Sequence, residues 1–180
     1  MNTIAAWTLL LLFPWYLSSE TVITGTVKTN LTTPRSILGL TISLRNEHTV
    51  IDQCFVESDG TFKLKAIIDR ELDLYYRGVG IDTTYIQKIS PTDKDTIRLI
   101  VVIPGIYKKR WGHAVCPKCN RSDQTVPIQY GLGTTSIAQE INKHGDTTLL
   151  PYNKKKYFAG TCIRSLLDPK YFCRRDKIKF

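Results

Sequence analysis

Histidine is scarce in this chain of 180 residues: His48, His113 and His144 are the three, and none sits where it would make an acid–base couple with a neighbour. Neither HExxH nor GxSxG occurs, so the zincin and nucleophile-elbow chemistries have no motif to rest on. Apolar residues at a 3.6-residue period are almost missing, which leaves a helical bundle without support. No apolar run reaches the roughly 20 residues that a membrane-spanning helix needs. Acidic residues thin out in the second half. Residues 104–180 hold 5 Asp+Glu against 15 Lys+Arg, net +10, whereas residues 1–103 hold 11 against 10, net −1.

What is present is a globular composition, 42% hydrophobic and 23% charged, in a length that fits one ordinary domain or two small ones. The basic second half favours an anionic partner, whether an acidic polymer, a lipid headgroup or nucleic acid. A solvated basic face that keeps the protein soluble is the plainer alternative. Residues 1–19 carry no charge and run apolar from Ile4 to Leu12 and on to Leu17. They read as a secretory signal cut near Ser18 or Ser19, although no Lys or Arg follows Met1. A retained anchor giving membrane association, or a buried N-terminal element, are the other readings. The address expected is extracytoplasmic: periplasm, cell surface or medium. Five cysteines leave at least one thiol unpaired.

From Thr21 to Ile103 short apolar runs alternate with polar residues and are punctuated by turn residues. The expected strands are Val22–Lys28, Leu40–Arg45, Val50–Val56, Thr61–Ala66, Leu72–Val79, Thr84–Ile89 and Thr96–Ile103. Leu40, Ile42 and Leu44 face one way and Thr41, Ser43 and Arg45 the other, as a half-buried strand requires. Ser58-Asp59-Gly60 signals a tight turn. The last strand ends apolar on both faces, which predicts cover from both sides. Seven closely spaced strands predict a β-sandwich over residues 20–103. Thr24-Gly25-Thr26-Val27, Leu38-Gly39-Leu40-Thr41-Ile42-Ser43-Leu44 and Glu57-Ser58-Asp59-Gly60-Thr61-Phe62-Lys63-Leu64 resemble the carboxypeptidase regulatory-like domain. That resemblance implies a seven-stranded, transthyretin-like, non-catalytic sandwich of the kind common on exported bacterial proteins.

Pro104-Gly105 and Lys108-Lys109-Arg110 mark a basic linker, 104–114, before a tail at 115–180. In the tail, Cys116-x-x-Cys119 and Cys173-x-x-Asp176 have the spacing by which two short turns each offer two donors to one tetrahedral Zn²⁺. Thiolate is the preferred donor in such sites, Asp176 supplies oxygen instead, and His113 is a possible substitute for it. A Cys116–Cys119 disulfide is the competing use of the first pair. The motifs Cys116-Pro117-Lys118-Cys119, Val126-Pro127-Ile128-Gln129-Tyr130-Gly131, Phe158-Ala159-Gly160-Thr161-Cys162 and Asp168-Pro169-Lys170-Tyr171-Phe172-Cys173 make the tail similar to small bacterial zinc-ribbon-like proteins. The resemblance implies a packed Cys162, and a short helix over Thr135–His144 is expected from Ile137, Ala138 and Ile141. The fold class expected is therefore mainly β: a transthyretin-like sandwich plus a small zinc-ribbon-like α+β tail. Cys54 reads as a core residue of the sandwich.

Lys154, Lys155 and Lys156 beside Tyr157 and Phe158, and Arg174 and Arg175 beside Tyr171 and Phe172, form a candidate anion-binding surface that can pair phosphates and stack bases. The same aromatics can instead build the small core of the tail. Asn30 and Asn120 stand in glycosylation sequons. The function expected is a non-enzymatic binding or structural module of the cell envelope with a structural zinc, meeting an envelope protein or an anionic polymer. A nucleic-acid-binding ribbon protein is the alternative, and a metal-dependent hydrolase a weaker third.

Overall fold

The computed structural model describes residues 20–29, 37, 39–91, 94–131, 137–141, 143, 147–151 and 156–180. Its described residues form strands and turns, with no helix among them. The first seven strands are β1 (Thr21–Thr29), β2 (Thr41–Asn46), β3 (Thr49–Phe55), β4 (Thr61–Ala66), β5 (Leu72–Gly78), β6 (Ile81–Ile89) and β7 (Thr96–Ile103). They build two sheets, ordered β4-β1-β7 and β3-β2-β5-β6. Every pairing is antiparallel except β1 with β7, which run parallel.

The two sheets close on one apolar core because each strand turns alternate side chains inward. Ile23 and Val27 of β1, Phe62 and Leu64 of β4, and Val101 and Ile103 of β7 come from one sheet. Ile42 and Leu44 of β2 and Leu72, Leu74 and Tyr76 of β5 come from the other. In β4 the alternation is strict, with Phe62, Leu64 and Ala66 buried and Thr61, Lys63 and Lys65 exposed. The Ser58–Gly60 turn joins β3 to β4: Gly60 takes φ 84°, and Asp59 Oδ1 accepts from the Thr61 amide at 2.8 Å and its hydroxyl at 2.7 Å. Gly25 is required where it stands. A Cβ there would lie 2.4 Å from the Phe62 ring and 2.8 Å from the Leu99 carbonyl oxygen. Cys54 is half-buried against the core. Toward the end of β7 Val101 and Ile103 are buried and Val102 is half-buried, while Ile100 is exposed, so the second face is covered only in part.

Beyond the sandwich, β8 (Lys109–Arg110) and β9 (His113–Ala114) form a tight hairpin. β10 (Thr125–Gln129), β13 (Phe158–Ala159), β14 (Tyr171–Cys173) and β15 (Ile178–Lys179) make a sheet ordered β13-β10-β14-β15. Residues expected to form a helix instead supply β11 (Ile137–Ile141), antiparallel to β12 (Thr147–Pro151). Among its described residues the tail is therefore β, and no α+β tail is seen. Ile137 and Ile141, four apart, fall on one side of a strand as well as on one side of a helix, and pairing with a partner strand settles such an ambiguity.

The tail does not hang free of the sandwich. A second core combines Tyr75 of β5 and Tyr85 of β6 with Ala114, Cys116, Cys173, Ile178 and Phe180. Phe180 is fully buried, its ring edge-on to Tyr107 at 5.3 Å, and its carbonyl accepts from the Lys170 and Tyr171 amides. Polar bonds cross the same seam. The Tyr76 hydroxyl donates to the Leu167 carbonyl at 2.7 Å, and Lys179 Nζ and Lys118 Nζ pair with Asp82 and Asp73 at 2.7 and 2.6 Å.

Candidate metal centre

Two turns of the same build meet at this second core. In the first, the Asn120 amide donates to the Cys116 carbonyl at 2.9 Å and Asn120 takes φ 56°; in the second, Lys177 takes φ 54°. Asn120 and Lys177 each stand four residues past the first cysteine of their turn. The left-handed residue swings the chain away after the second donor, so Asp176 occupies in its turn the place that Cys119 occupies in the other.

The backbone of each turn is also aimed at sulfur. The Cys119 and Lys118 amides hydrogen-bond to the Cys116 sulfur, and the Asp176 and Arg175 amides to the Cys173 sulfur. Such N–H groups favour the thiolate that a metal requires. In the metal-free protein burial dominates, and it pushes both thiols above their ordinary value. Burial also opposes the Asp176 carboxylate, but hydrogen bonds from Cys119, Cys116 and Cys173, with the charge of Lys118, outweigh it and hold Asp176 below the usual range.

Ligand atoms of Cys116, Cys119, Cys173 and Asp176 all lie within 4.8 Å of one another. Cys119 Sγ and Cys173 Sγ are 3.9 Å apart. Sulfurs around a tetrahedral zinc at about 2.3 Å stand about 3.8 Å apart, so this edge already has the required length. Asp176 Oδ2 accepts from the Cys116 thiol at 3.1 Å and the Cys173 thiol at 3.2 Å. The described cysteines are all free thiols, Cys116 and Cys119 included. Three sulfurs and one oxygen converging in a half-buried pocket can hold a metal ion such as zinc, and the donor set is soft. One further observation fits. The Tyr85 hydroxyl is buried without a hydrogen-bond partner, and the charges of Asp73, Tyr75, Cys116 and Asp176 all act on it after burial in raising its pKa. An unpartnered donor packed with Cys116 and Cys173 is what an outer-shell hydrogen bond would need if the cluster held a metal. Sequence reasoning missed it because Tyr85 lies on β6, some thirty residues before the first ligand, and reads as a strand aromatic.

His113 is exposed on β9 and does not belong to the cluster. Cys162 is exposed, contrary to the packed thiol implied by the zinc-ribbon resemblance. Asp176 also opens onto a cleft of about 570 Å³ between the β2–β3 turn and the tail. Its cations are mostly engaged: Lys118 with Asp73, Lys179 with Asp82, Arg175 with Asp123 at 2.7 Å, and Arg45 over the Tyr75 ring.

The cations expected at an anion-binding surface are described only in part. Lys154 and Lys155 lie outside the described residues, Lys156 and Arg174 are exposed, and Arg175 is paired. Phe158 and Phe172 stack on each other at 3.8 Å and Tyr171 packs in the second core, so these aromatics serve packing.

No family model matches the chain, and no curated protein matches it. Among solved structures it is distantly similar to a DUF3823 family protein from Parabacteroides merdae, at 18% identity and a TM-score of 0.32, over 47% of this chain and 46% of that one. It is also similar to a 9R-lipoxygenase from Cyanothece, at 14% identity and a TM-score of 0.33, over 53% of this chain and 18% of that one. The chain thus spans under half of the first protein and under a fifth of the second. What fold and site together define is a class: an all-β protein of several sheets with a Cys₃Asp cluster that can hold a metal ion.

Proposed function

We propose that this chain is an exported, non-catalytic binding and structural module of the cell envelope. In it, a structural zinc held by Cys116, Cys119, Cys173 and Asp176 fastens a zinc-ribbon-like tail to a transthyretin-like sandwich. The observation that carries the reading is the closed donor set, four protein ligands within 4.8 Å, backed by Tyr75 and Tyr85 of the sandwich. A catalytic zinc keeps a position open for water or substrate, whereas a structural zinc is fully ligated by protein. Three thiolates would also feed charge to the ion and weaken it as a Lewis acid, which argues against hydrolysis. The carboxypeptidase regulatory-like reading is supported by the capped Ser58–Gly60 turn at its expected place between β3 and β4. Export is supported by the uncharged, apolar composition of residues 1–19.

Cell fractionation tests the address. Mature protein beginning near Glu20 outside the cytoplasm is expected; cytosolic protein still beginning at Met1 and bound to nucleic acid would refute it. Zinc added to reduced, metal-stripped protein tests the fastening. It should raise the melting temperature and alter the near-ultraviolet dichroism of the tyrosines, because Tyr75 and Tyr85 pack on the ligands. A tyrosine signal that ignores zinc would contradict it.

A further inference from the structure

The β8–β9 hairpin carries a feature that the fold does not use. Lys109 pairs with Ala114 and Arg110 with His113, which leaves Trp111 and Gly112 as a two-residue turn with φ 53° and 80°. Two successive positive φ values are those of a type I′ turn, whose first position favours Asn, Asp or Gly. A bulky L-residue is disfavoured there, and the strain is normally repaid by packing. Trp111 has no such repayment. It is 92% exposed, and among the described residues no ring or cation packs on its indole.

The chain beside Trp111 is basic and free of acids. Lys108, Lys109 and Arg110 are exposed, none is in an ion pair among the described residues, and no Asp or Glu occurs from Thr96 to Ser122. Ile106, 83% exposed, adds a second apolar side chain at the foot of the hairpin. The foot itself is anchored. The Val115 amide donates to the Lys108 carbonyl at 2.8 Å, the Thr125 hydroxyl donates to the buried Ala114 carbonyl, and Cys116 opens the first metal turn.

We propose that this hairpin docks the protein on a lipid bilayer containing anionic headgroups, with the Trp111 indole seated at the interface and Lys108, Lys109 and Arg110 on the headgroup charge. An indole is apolar with one polar N–H, which suits the boundary between headgroups and acyl chains. Lys and Arg near such a surface add attraction that anionic lipid alone supplies. The shape favours a membrane over a polymer. Bases are held on successive stacking aromatics along a groove, and among the described residues no second ring stands against Trp111, so a single projecting ring amid basic side chains suits a surface that yields to it. The inference stands on the hairpin and does not rest on zinc.

The test uses the full chain with Trp7→Phe and Trp15→Phe, leaving Trp111 as its one tryptophan. With phosphatidylglycerol-containing vesicles, Trp111 emission should shift to the blue and be quenched by bromine-labelled acyl chains. With pure phosphatidylcholine vesicles it should stay water-like, even if residues 1–19 bind them. Adding Lys109→Ala and Arg110→Ala should weaken the anionic response about thirtyfold. In a separate Trp111→Asn variant the melting temperature should hold or rise, since Asn suits the turn. A fall would give Trp111 a structural role and overturn the proposal. So would Trp111 emission unchanged by anionic vesicles, or a shift equal with both lipids. An emission response to an oligonucleotide or heparin in place of vesicles would assign the hairpin to a polymer and overturn the bilayer.

Discussion

Replacing Lys118 with methionine should loosen the first metal turn from the sandwich. Lys118 Nζ lies 2.6 Å from Asp73 Oδ2, with the two side chains 28% and 9% exposed. Burial works to lower the Lys118 pKa, but the hydrogen bond and charge of Asp73 outweigh it and hold the ammonium above its usual value, so the pair is intact at neutral pH. Asp73 sits inside β5, flanked by β2 and β6, and without Lys118 its carboxylate would be buried and unpaired. A hydrogen bond to a charged group is worth about 1.5–3 kcal/mol, and water reaching the lysine trims that. The expected cost is about 2 kcal/mol, or a melting temperature lower by about 4–8 °C in a chain of this length. Thermal unfolding of zinc-loaded protein is the assay, run as a double-mutant cycle with Asp73→Asn. The double variant should recover at least half of the loss. A Lys118→Met protein that melts like the parent, with coupling below about 0.5 kcal/mol, would show that the turn does not lean on the sandwich.

Three other outcomes follow from the same geometry. Asp176→Cys should tighten zinc in a chelator competition and Asp176→Ala should weaken it; an unchanged affinity in the alanine variant would remove Asp176 from the ligand set. Tyr85→Phe should leave the metal-free protein no less stable, since its hydroxyl is idle there, yet weaken zinc about tenfold if that hydroxyl serves a thiolate. Equal zinc affinity would end that role. Burial raises the Tyr76 phenol to about 12 from 10.0, so the folded state holds its proton more firmly than the unfolded chain. That contribution, about 3 kcal/mol, is whole below pH 10 and is lost as pH rises toward 12. Denaturant midpoints across that interval should fall, less steeply in Tyr76→Phe; parallel slopes would contradict it.

The sandwich was legible because its information is local. The alternation of Phe62, Leu64 and Ala66 with Lys63 and Lys65 and the Ser58–Gly60 turn are properties of neighbouring residues, and all seven expected strands occur within three residues of their expected starts. Errors cluster where a segment's own pattern fits two structures or where its cover comes from another element. Residues 137–141 pair with 147–151, and no local period reveals that choice. The end of β7 is apolar on both faces, but the layer that covers a face is not encoded in the strand: Val101 and Ile103 meet the core, while on the other face Val102 is half-buried and Ile100 exposed. In the metal centre the CxxC and CxxD spacings announced the donors. The equivalence of Asn120 and Lys177 did not show, because neither is the glycine that usually marks positive φ. Nor could composition reveal that Lys118 and Lys179 are spent on Asp73 and Asp82, so much of the apparent basic surplus near the centre goes into joining the two parts.

Zinc content of the full chain, purified under reducing conditions and measured by elemental analysis beside Cys119→Ser, decides whether the four donors form a metal centre. About one zinc per chain is expected, falling sharply in the variant. Protein that holds no zinc, and whose melting temperature does not move when zinc is added, would contradict the account.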